Sequence, residues 1–194
     1  MVLPNIIEKT GRSEKVLDLP SKLLSERIVY FWGEINDDTM NVAIMQMLWL
    51  AAQDSDTPID LYISSGGGSV YYGLALKDVI YSLPCKVNTI GTGICASMGA
   101  YLLACGTGTR KVSENCRIML HSVSSRTGGT IHDMKIDLEE TLFLQNQLMI
   151  DIANFTKGKS TVDTIKTKTE RDYWLSADDC IKLGIVDEKI KSKH

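Results

Sequence analysis

The residues best suited to chemistry in this sequence are one serine in an apolar stretch and one histidine at the end of an apolar run. Ser97 lies near the centre of "TGICASMGAYLLACG", which is otherwise small and apolar. A buried hydroxyl without a hydrogen-bond partner costs about 1–3 kcal/mol, so either the local backbone or a constructed site must satisfy it. A serine becomes a useful nucleophile only beside a base. His121, at the end of "RIMLH", is the candidate base.

The other members of a hydrolytic site are less defined. His132 falls in a polar segment expected to be a solvated loop, and His194 is the terminal residue. A carboxylate should orient the imidazole, but spacing alone does not choose among four candidates: Asp133, Asp163, Asp172 and Asp187. A plain N-cap serine at the start of a helix is the competing interpretation of Ser97.

Three consecutive glycines could supply the hydrogen-bond donors that acyl transfer needs. They occur in "SSGGGSV", Ser64–Val70, where glycine can adopt backbone angles that direct N–H groups outward. A tight turn or a phosphate loop would use the same residues. The Walker pattern fails because no G-K-[ST] follows, and G-x-G-x-x-G is met only loosely. The residues alone therefore indicate a possible serine hydrolase.

Cysteine usage offers one rival nucleophile. Cys95 precedes Ser97 by two residues, which would place both side chains on the same face of a strand. A buried packing role is more typical of such a cysteine. The chain has five cysteines and no CxxC pair, which indicates reduced thiols in a cytosol.

The predicted elements alternate between strands and helices, which indicates an α/β layered domain. Strands are predicted over Arg27–Gly33, Ile59–Ser64, Lys86–Gly93 and Arg117–His121. Helices are predicted in "DDTMNVAIMQMLWLAAQD", capped by Asp37 or Asp38, after a glycine turn in "GGGSVYYGLALKDVIYSL", and over Ser97–Cys105. In the first of these, the apolar residues at helical spacing are Val42, Met45, Leu48, Trp49 and Ala52. Ser97 and His121 then both fall at strand ends, where the active sites of α/β sheets gather.

Two further helices are predicted in the second half of the chain. "IHDMKIDLEETLFLQNQLMIDIANF" carries an apolar stripe of Met134, Leu138, Leu142, Leu148, Ile152 and Phe155. It is either a surface helix packed on the core or an arm that buries its stripe against another subunit. "SADDCIKLGIVD" predicts a short helix with a capping box of Ser176 and Asp179 and a stop at Gly184.

Bulk composition bounds the class of protein. The 194 residues are 44% hydrophobic and 23% charged, as expected for one globular domain spanning 1–194. A net charge of −3 argues against a nucleic-acid partner. No apolar run reaches the roughly 18 residues of a membrane span. The opening "MVLPNIIEKTGR" does not have the pattern of a signal peptide.

Taken together, several segments resemble the proteolytic-subunit family of the Clp protease. They are "GTGICASMGAYLLACG", "RIMLH", "ERDYWLSADDCIKLGIVDEKI", "YISSGGGSVYYGLAL" and the opening "LPNIIEKTGRSEKVLDLPSKLLSERIVYFWGEIND". The resemblance runs from about Leu3 to Ile190. It implies an ATP-dependent system in which a Ser–His–Asp peptidase cleaves unfolded polypeptides.

The resemblance also implies a role for individual residues. Ser97 would be the nucleophile, His121 the base and Asp172 the acid that holds the imidazole. The backbone N–H groups of Gly68 and Met98 would be the oxyanion donors. Three further residues are assigned to contacts between proteins: Glu170 and Arg171 between stacked rings, and Tyr62 in the groove that receives an unfoldase loop.

The implied architecture is a crotonase-like α/β head with a protruding handle helix. Residues 1–18 would form an axial segment, and residues 122–155 the handle region. Rings of seven subunits would stack through the handles into a cytoplasmic tetradecamer that encloses the active sites. The partner is an AAA+ unfoldase of the Clp type, which uses the ATP, and the chamber itself needs no metal and no cofactor.

Three segments depart from the family pattern. "SSGGG" stands where the family has N-S-P-G-G, "HSV" at His121–Val123 stands for H-Q-P, and "SSRTGGTIHD" replaces the glycine-rich strand that pairs with substrate. These departures keep open a non-catalytic or auxiliary ring subunit. A thioester enzyme of the crotonase class is a third hypothesis, but no basic cluster is placed to hold the phosphates of coenzyme A.

Overall fold

The computed structural model describes residues 4–10 and 13–190. Nine strands occur within this part of the chain: β1 Asn5–Thr10, β2 Ser13–Asp18, β3 Ile28–Ile35, β4 Ile59–Gly68, β5 Val87–Ala96, β6 Arg110–Val112, β7 Arg117–Leu120, β8 Tyr173–Leu175 and β9 Glu188–Lys189. Seven helices accompany them: α1 Leu19–Ser25, α2 Asp37–Gln53, α3 Val70–Ser82, α4 Met98–Ala104, α5 Ile131–Phe155, α6 Val162–Lys168 and α7 Ala177–Leu183. His194 lies outside the described residues.

A seven-stranded, mostly parallel sheet organises the body. Its order is β3-β4-β5-β6-β9, and β7 also pairs with β5, beyond the point where β6 leaves it. Strand β8 is antiparallel to β7. Strands β1 and β2 form a separate hairpin at the N-terminal end. The α/β class predicted from the alternating pattern is confirmed.

The buried strands are apolar on alternate residues because one face of the sheet is packed in the core. In β4, Ile59, Leu61 and Ile63 are fully buried. This strand extends further than predicted, since Gly66, Gly67 and Gly68 belong to it and do not form a turn. Glycine can continue the strand here through a register shift opposite β3, between Trp32 and Glu34.

Helix α2 shows two differences from its prediction. Its N-cap is Asn36, which forms a capping box with Thr39, so Asp37 and Asp38 lie inside the first turn. The face that packs on the core carries four other residues, Met40, Ala43, Met47 and Leu50. The side chains at the predicted helical spacing are about half exposed instead: Val42, Met45, Leu48 and Trp49.

Helix α5 is divided into an exposed half and a packed half. All ten residues from 131 to 140 are exposed, and His132 is part of this helix, so the loop predicted for it is wrong. The C-terminal half packs on the body through Leu148, Ile152 and Phe155. The capping box and glycine stop predicted for α7 are confirmed by Ser176, Asp179 and Gly184.

A partly buried ion pair, with Arg110 buried and Asp187 partly exposed, joins the end of the chain to the body. Arg110 is 2% exposed, and its guanidinium donates two hydrogen bonds to the carboxylate of Asp187 and a third to the carbonyl oxygen of Phe155. Lys157 approaches the same carboxylate from the surface. Within the described residues, no helix has the length and apolar character that crossing a membrane requires.

Candidate active site

Ser97 lies at the junction between β5 and α4. Its backbone has φ 54° and ψ −126°, a conformation that few residues other than glycine adopt. The Ser97 N–H donates to the carbonyl oxygen of Met119 at 2.8 Å, which fixes the turn against β7. Ser97 occupies the N-cap position of α4, but its side chain makes no capping hydrogen bond and is free to meet another partner. Strained turns of this kind present a side chain away from the backbone, often at a functional site.

The hydroxyl of Ser97 meets the imidazole of His121. Ser97 Oγ and His121 Nε2 are 2.8 Å apart. The register of the sheet explains this contact, because β5 and β7 are parallel and Ala96 pairs with Met119. Ser97 and His121 therefore follow the paired ends of two adjacent strands, and their side chains meet at the same edge of the sheet. A serine and a histidine at hydrogen-bond distance form the pair that nucleophilic catalysis requires.

Asp172 lies on the other side of the same imidazole. Its Oδ1 is 3.9 Å from His121 Nδ1, beyond hydrogen-bond distance, and its side chain is 63% exposed. It comes directly before β8, whose residue Tyr173 pairs with Leu120 of β7. The antiparallel register thus brings the residues on either side, Asp172 and His121, together.

The three other carboxylates considered from the sequence occupy different places. Asp133 belongs to the capping box of α5, and Asp163 is in the first turn of α6. Asp187 accepts hydrogen bonds from Arg110. Of the four candidates, Asp172 is the one beside His121.

The two proposed oxyanion donors line the same small cavity as Ser97. This cavity of about 60 Å³ is bounded by Gly68, Met98 and the Ser97–His121 pair, with an apolar wall from α5. Met98 is the first residue of α4, so its N–H has no partner within that helix. The α5 wall consists of Leu148, Met149 and Ile152.

Gly67 brings β4 against Ser97. A Cβ atom at Gly67 would lie 2.7 Å from the Cβ of Ser97 and 2.9 Å from the carbonyl oxygen of Ala96. Its φ of +104° also favours glycine. By contrast, a Cβ at Gly66 would have no atom within 4 Å. Gly67 is therefore the glycine that brings the backbone of β4 close to Ser97, whereas Gly66, which stands where the family has proline, does not.

Cys95 is a packing residue. It is fully buried, and its thiol donates to the carbonyl oxygen of Ile63 at 3.4 Å. A hydrogen bond with Cys116, together with burial, raises the pKa of the Cys95 thiol. Because the thiolate is the reactive form, a raised pKa makes Cys95 a poor nucleophile.

The residues predicted to contact other proteins lie at the surface. Glu170 and Arg171 are exposed and precede Asp172. Tyr62, on β4, stacks on Tyr30 with ring centroids 6.1 Å apart. It lines a cavity of about 400 Å³ whose apolar part includes Ile90 and Ile190. The segment from 121 to 128 has no regular secondary structure, so no strand is present there.

The sequence analysis did not identify two residues that hold the segment after His121, Ser122 and Gln145. Ser122 donates from its backbone N–H and its hydroxyl to the carbonyl oxygen of Thr169, at 2.9 Å in each case. The Val123 N–H donates to Oε1 of Gln145 on α5. These partners are between 22 and 47 residues apart along the chain, so spacing cannot predict them.

Comparisons with known proteins agree with the geometry. A family model described as Clp protease matches residues 11–193. The "ATP-dependent Clp protease proteolytic subunit 1" of Prochlorococcus marinus (strain MIT 9312) is 37% identical over 193 residues, 99% of this chain and 98% of that protein. The "ATP-dependent Clp protease proteolytic subunit 2" of Synechococcus sp. (strain CC9605) is also 37% identical, over 99% of this chain and 97% of that protein. Because these matches span nearly the whole chain, the chain belongs to the Clp protease family.

Proposed function

We propose that this protein is the proteolytic subunit of an ATP-dependent Clp protease, a serine endopeptidase that hydrolyses unfolded polypeptides. The observation that carries the proposal is the 2.8 Å contact between Ser97 Oγ and His121 Nε2 in a cavity at the sheet edge. The relatives are named as proteolytic subunits of ATP-dependent Clp proteases, which supports the same activity.

The proposed reaction follows acyl transfer. His121 Nε2 accepts the proton of Ser97 as Oγ attacks the carbonyl carbon of the peptide bond. The N–H groups of Gly68 and Met98 donate to the oxyanion that forms. His121 then donates its proton to the leaving amine, and an acyl-enzyme remains on Ser97. Water, deprotonated by His121, releases the second product and restores the hydroxyl.

Asp172 completes the triad in this proposal. Its carboxylate faces His121 Nδ1 and stabilises the imidazolium that forms during the reaction. It is 63% exposed and 3.9 Å from Nδ1, so it acts on the ring through space. Glu170 and Arg171, its exposed neighbours, would contact the opposite ring of the stacked pair.

The exposed apolar surfaces support an assembly of identical subunits. The exposed half of α5 carries Ile136, Leu138, Leu142 and Phe143 at its surface. A large exposed apolar face of this kind is unfavourable in a monomer. We assign it to the contact between two seven-membered rings. The exposed face of α2, beside a groove of about 790 Å³, fits the contact between neighbours within one ring.

The remaining parts of the proposal concern partners. The chain acts as a single domain, with the β1–β2 hairpin at the axial entrance and the handle at residues 122–155. An AAA+ unfoldase docks at the groove around Tyr62 and delivers unfolded chains with ATP that it hydrolyses itself. We place the complex in the cytoplasm, where five buried free thiols are compatible with reducing conditions.

A fluorophosphonate probe tests the catalytic part of this proposal. We expect the purified assembly to be labelled at Ser97, and Ser97→Ala to lose both labelling and peptide hydrolysis, a drop of about 10⁴-fold or more. Cys95→Ala is the matched control, and it should be labelled normally because the thiol is buried. Peptide hydrolysis that persists in Ser97→Ala would overturn the proposal.

A further inference from the structure

The backbone that follows His121 is held from two directions. On one side, Ser122 donates twice to the carbonyl oxygen of Thr169, a buried residue three positions before Asp172. On the other side, the Val123 N–H donates to Oε1 of Gln145. No other regular structure restrains this segment, because β7 ends at Leu120 and residues 121–128 form neither helix nor strand.

Gln145 is placed where α5 becomes firmly packed. Its neighbours Leu144 and Leu148 are 8% and 6% exposed, whereas the preceding residues Leu142 and Phe143 are more than half exposed. The amide therefore extends from a backbone that the core already holds. A rigid helix that accepts a hydrogen bond from a loop limits how far that loop can move.

The imidazole needs this restraint because its other side is weakly held. Asp172 is too far from His121 Nδ1 for a hydrogen bond, so the carboxylate does not lock the ring orientation. The position of His121 Nε2 on Ser97 then depends on the backbone on either side of His121. Strand β7 fixes the residue before it, and the Thr169 and Gln145 contacts fix the residues after it.

We propose that Gln145 is a positioning residue for catalysis, which holds the His121 imidazole on Ser97 by accepting the Val123 N–H. The inference rests on the proposed peptidase function and adds a residue to it. The motif that the chain resembles has proline at the position of Val123, and proline has no N–H to donate. The contact is therefore a property of this chain's own "HSV" segment and not of the family motif.

The test measures peptide hydrolysis and fluorophosphonate labelling, each normalised to the titrated Ser97 sites. Gln145→Met removes the acceptor at similar volume. We expect kcat and the labelling rate to fall about 10-fold, with KM within about 2-fold, because the error lies in the alignment of the reacting groups. Gln145→Glu keeps an acceptor oxygen and should recover most of the lost rate. Asn146→Met, on the exposed neighbouring residue, is the matched control.

A double-mutant cycle isolates the hydrogen bond itself. Val123→Pro removes the donor, so Val123→Pro combined with Gln145→Met should be no slower than the slower single variant. Thermal unfolding and particle mass show whether each variant still folds and assembles. Unchanged kcat in an assembled Gln145→Met particle, failure of Gln145→Glu to recover, or additive effects in the cycle would overturn the inference. Wild-type protein that is not labelled at Ser97 would instead contradict the peptidase function itself.

Discussion

At the scale of single residues, the site depends on one short contact and one long one. The Ser97–His121 distance of 2.8 Å allows direct proton transfer. The His121–Asp172 distance of 3.9 Å leaves the carboxylate to act through space and not through a hydrogen bond. Asp172 should therefore stabilise the developing imidazolium less than a buried triad carboxylate does.

Replacing Asp172 tests this difference. We expect Asp172→Asn to lower kcat about 100-fold in the assembled particle, less than the roughly 10⁴-fold loss caused by the same change in a serine protease with a buried triad carboxylate. Steady-state peptide hydrolysis measures the effect. Asp163→Asn, an exposed aspartate on α6, is the matched control and should leave kcat unchanged. An Asp172→Asn enzyme with wild-type kcat would exclude Asp172 from the triad.

At the scale of secondary structure, the ends of three strands build the site. Strand β5 ends before Ser97, β7 ends before His121, and Gly67 near the end of β4 lies against Ser97. Neighbouring glycines in β4 differ in what surrounds them. A methyl group at Gly67 would collide with the backbone around Ser97, whereas one at Gly66 would meet open space.

This difference leads to a paired experiment on β4. We expect Gly67→Ala to lower kcat about 100-fold, because a Cβ at a φ of +104° must push the strand away from Ser97. Gly66→Ala is the matched control and should keep kcat within about 2-fold of wild type. Peptide hydrolysis and thermal unfolding separate a misplaced nucleophile from a loss of fold. Equal kcat values for the two variants would contradict this account of the glycines.

At the scale of the whole molecule, α5 connects a solvent-exposed surface to the cavity beside Ser97 and His121. Its first half exposes apolar side chains, and its second half supplies Leu148, Met149 and Ile152 to the cavity wall. A contact made on the exposed half can therefore be detected as a change in both assembly and activity.

A charge placed on the exposed half tests the proposed ring contact. We expect Leu142→Glu to halve the particle mass, from two stacked rings to one, and to lower peptidase activity, because a buried unpaired carboxylate opposes association. The fold should survive, since Leu142 is 53% exposed in the isolated chain. Leu142→Met keeps the surface apolar and is the control. A Leu142→Glu particle of unchanged mass would show that the contact between the rings does not involve this surface.

The Arg110–Asp187 pair makes the stability of the whole molecule depend on pH. Burial opposes ionisation of Asp187, but hydrogen bonds from Arg110 outweigh it and hold the pKa of this carboxyl well below its ordinary value of 3.8. The unfolded chain therefore binds the proton first. The stabilisation is complete above about pH 4 and is lost as the pH falls towards the folded pKa.

Asp187→Asn measures this contribution. We expect it to lower the free energy of unfolding by about 2–3 kcal/mol at pH 7, less than the loss of a fully buried pair, because Asp187 is 29% exposed. The difference from wild type should shrink below pH 4 in chemical unfolding experiments. Glu188→Gln, which breaks the exposed pair with Lys111, should cost less than about 1 kcal/mol. A constant difference across this pH range would contradict the assignment.

Local patterns in the sequence predicted much of the fold because they reflect short-range physics. The apolar strands and the capping box of α7 depend on neighbours within a few residues, and both are confirmed. The N-cap of α2 and the glycine turn were wrong. In α2, the side chain of Asn36, one residue earlier than predicted, accepts the hydrogen bond from a free N–H of the first turn. In β4, the glycines pair with β3, and this pairing outweighs the preference of glycine for turns.

The sequence by itself determined the α/β class and the family motifs, and it singled out Ser97 and His121 as candidates, because such information is carried by adjacent residues. It left four aspartates open as partners of the histidine until the resemblance favoured one. Only the tertiary structure decided the 3.9 Å approach of Asp172, the contact of Gly67 with Ser97 and the Gln145–Val123 hydrogen bond. Each of these depends on strand register and helix packing, which bring together residues that are far apart along the chain.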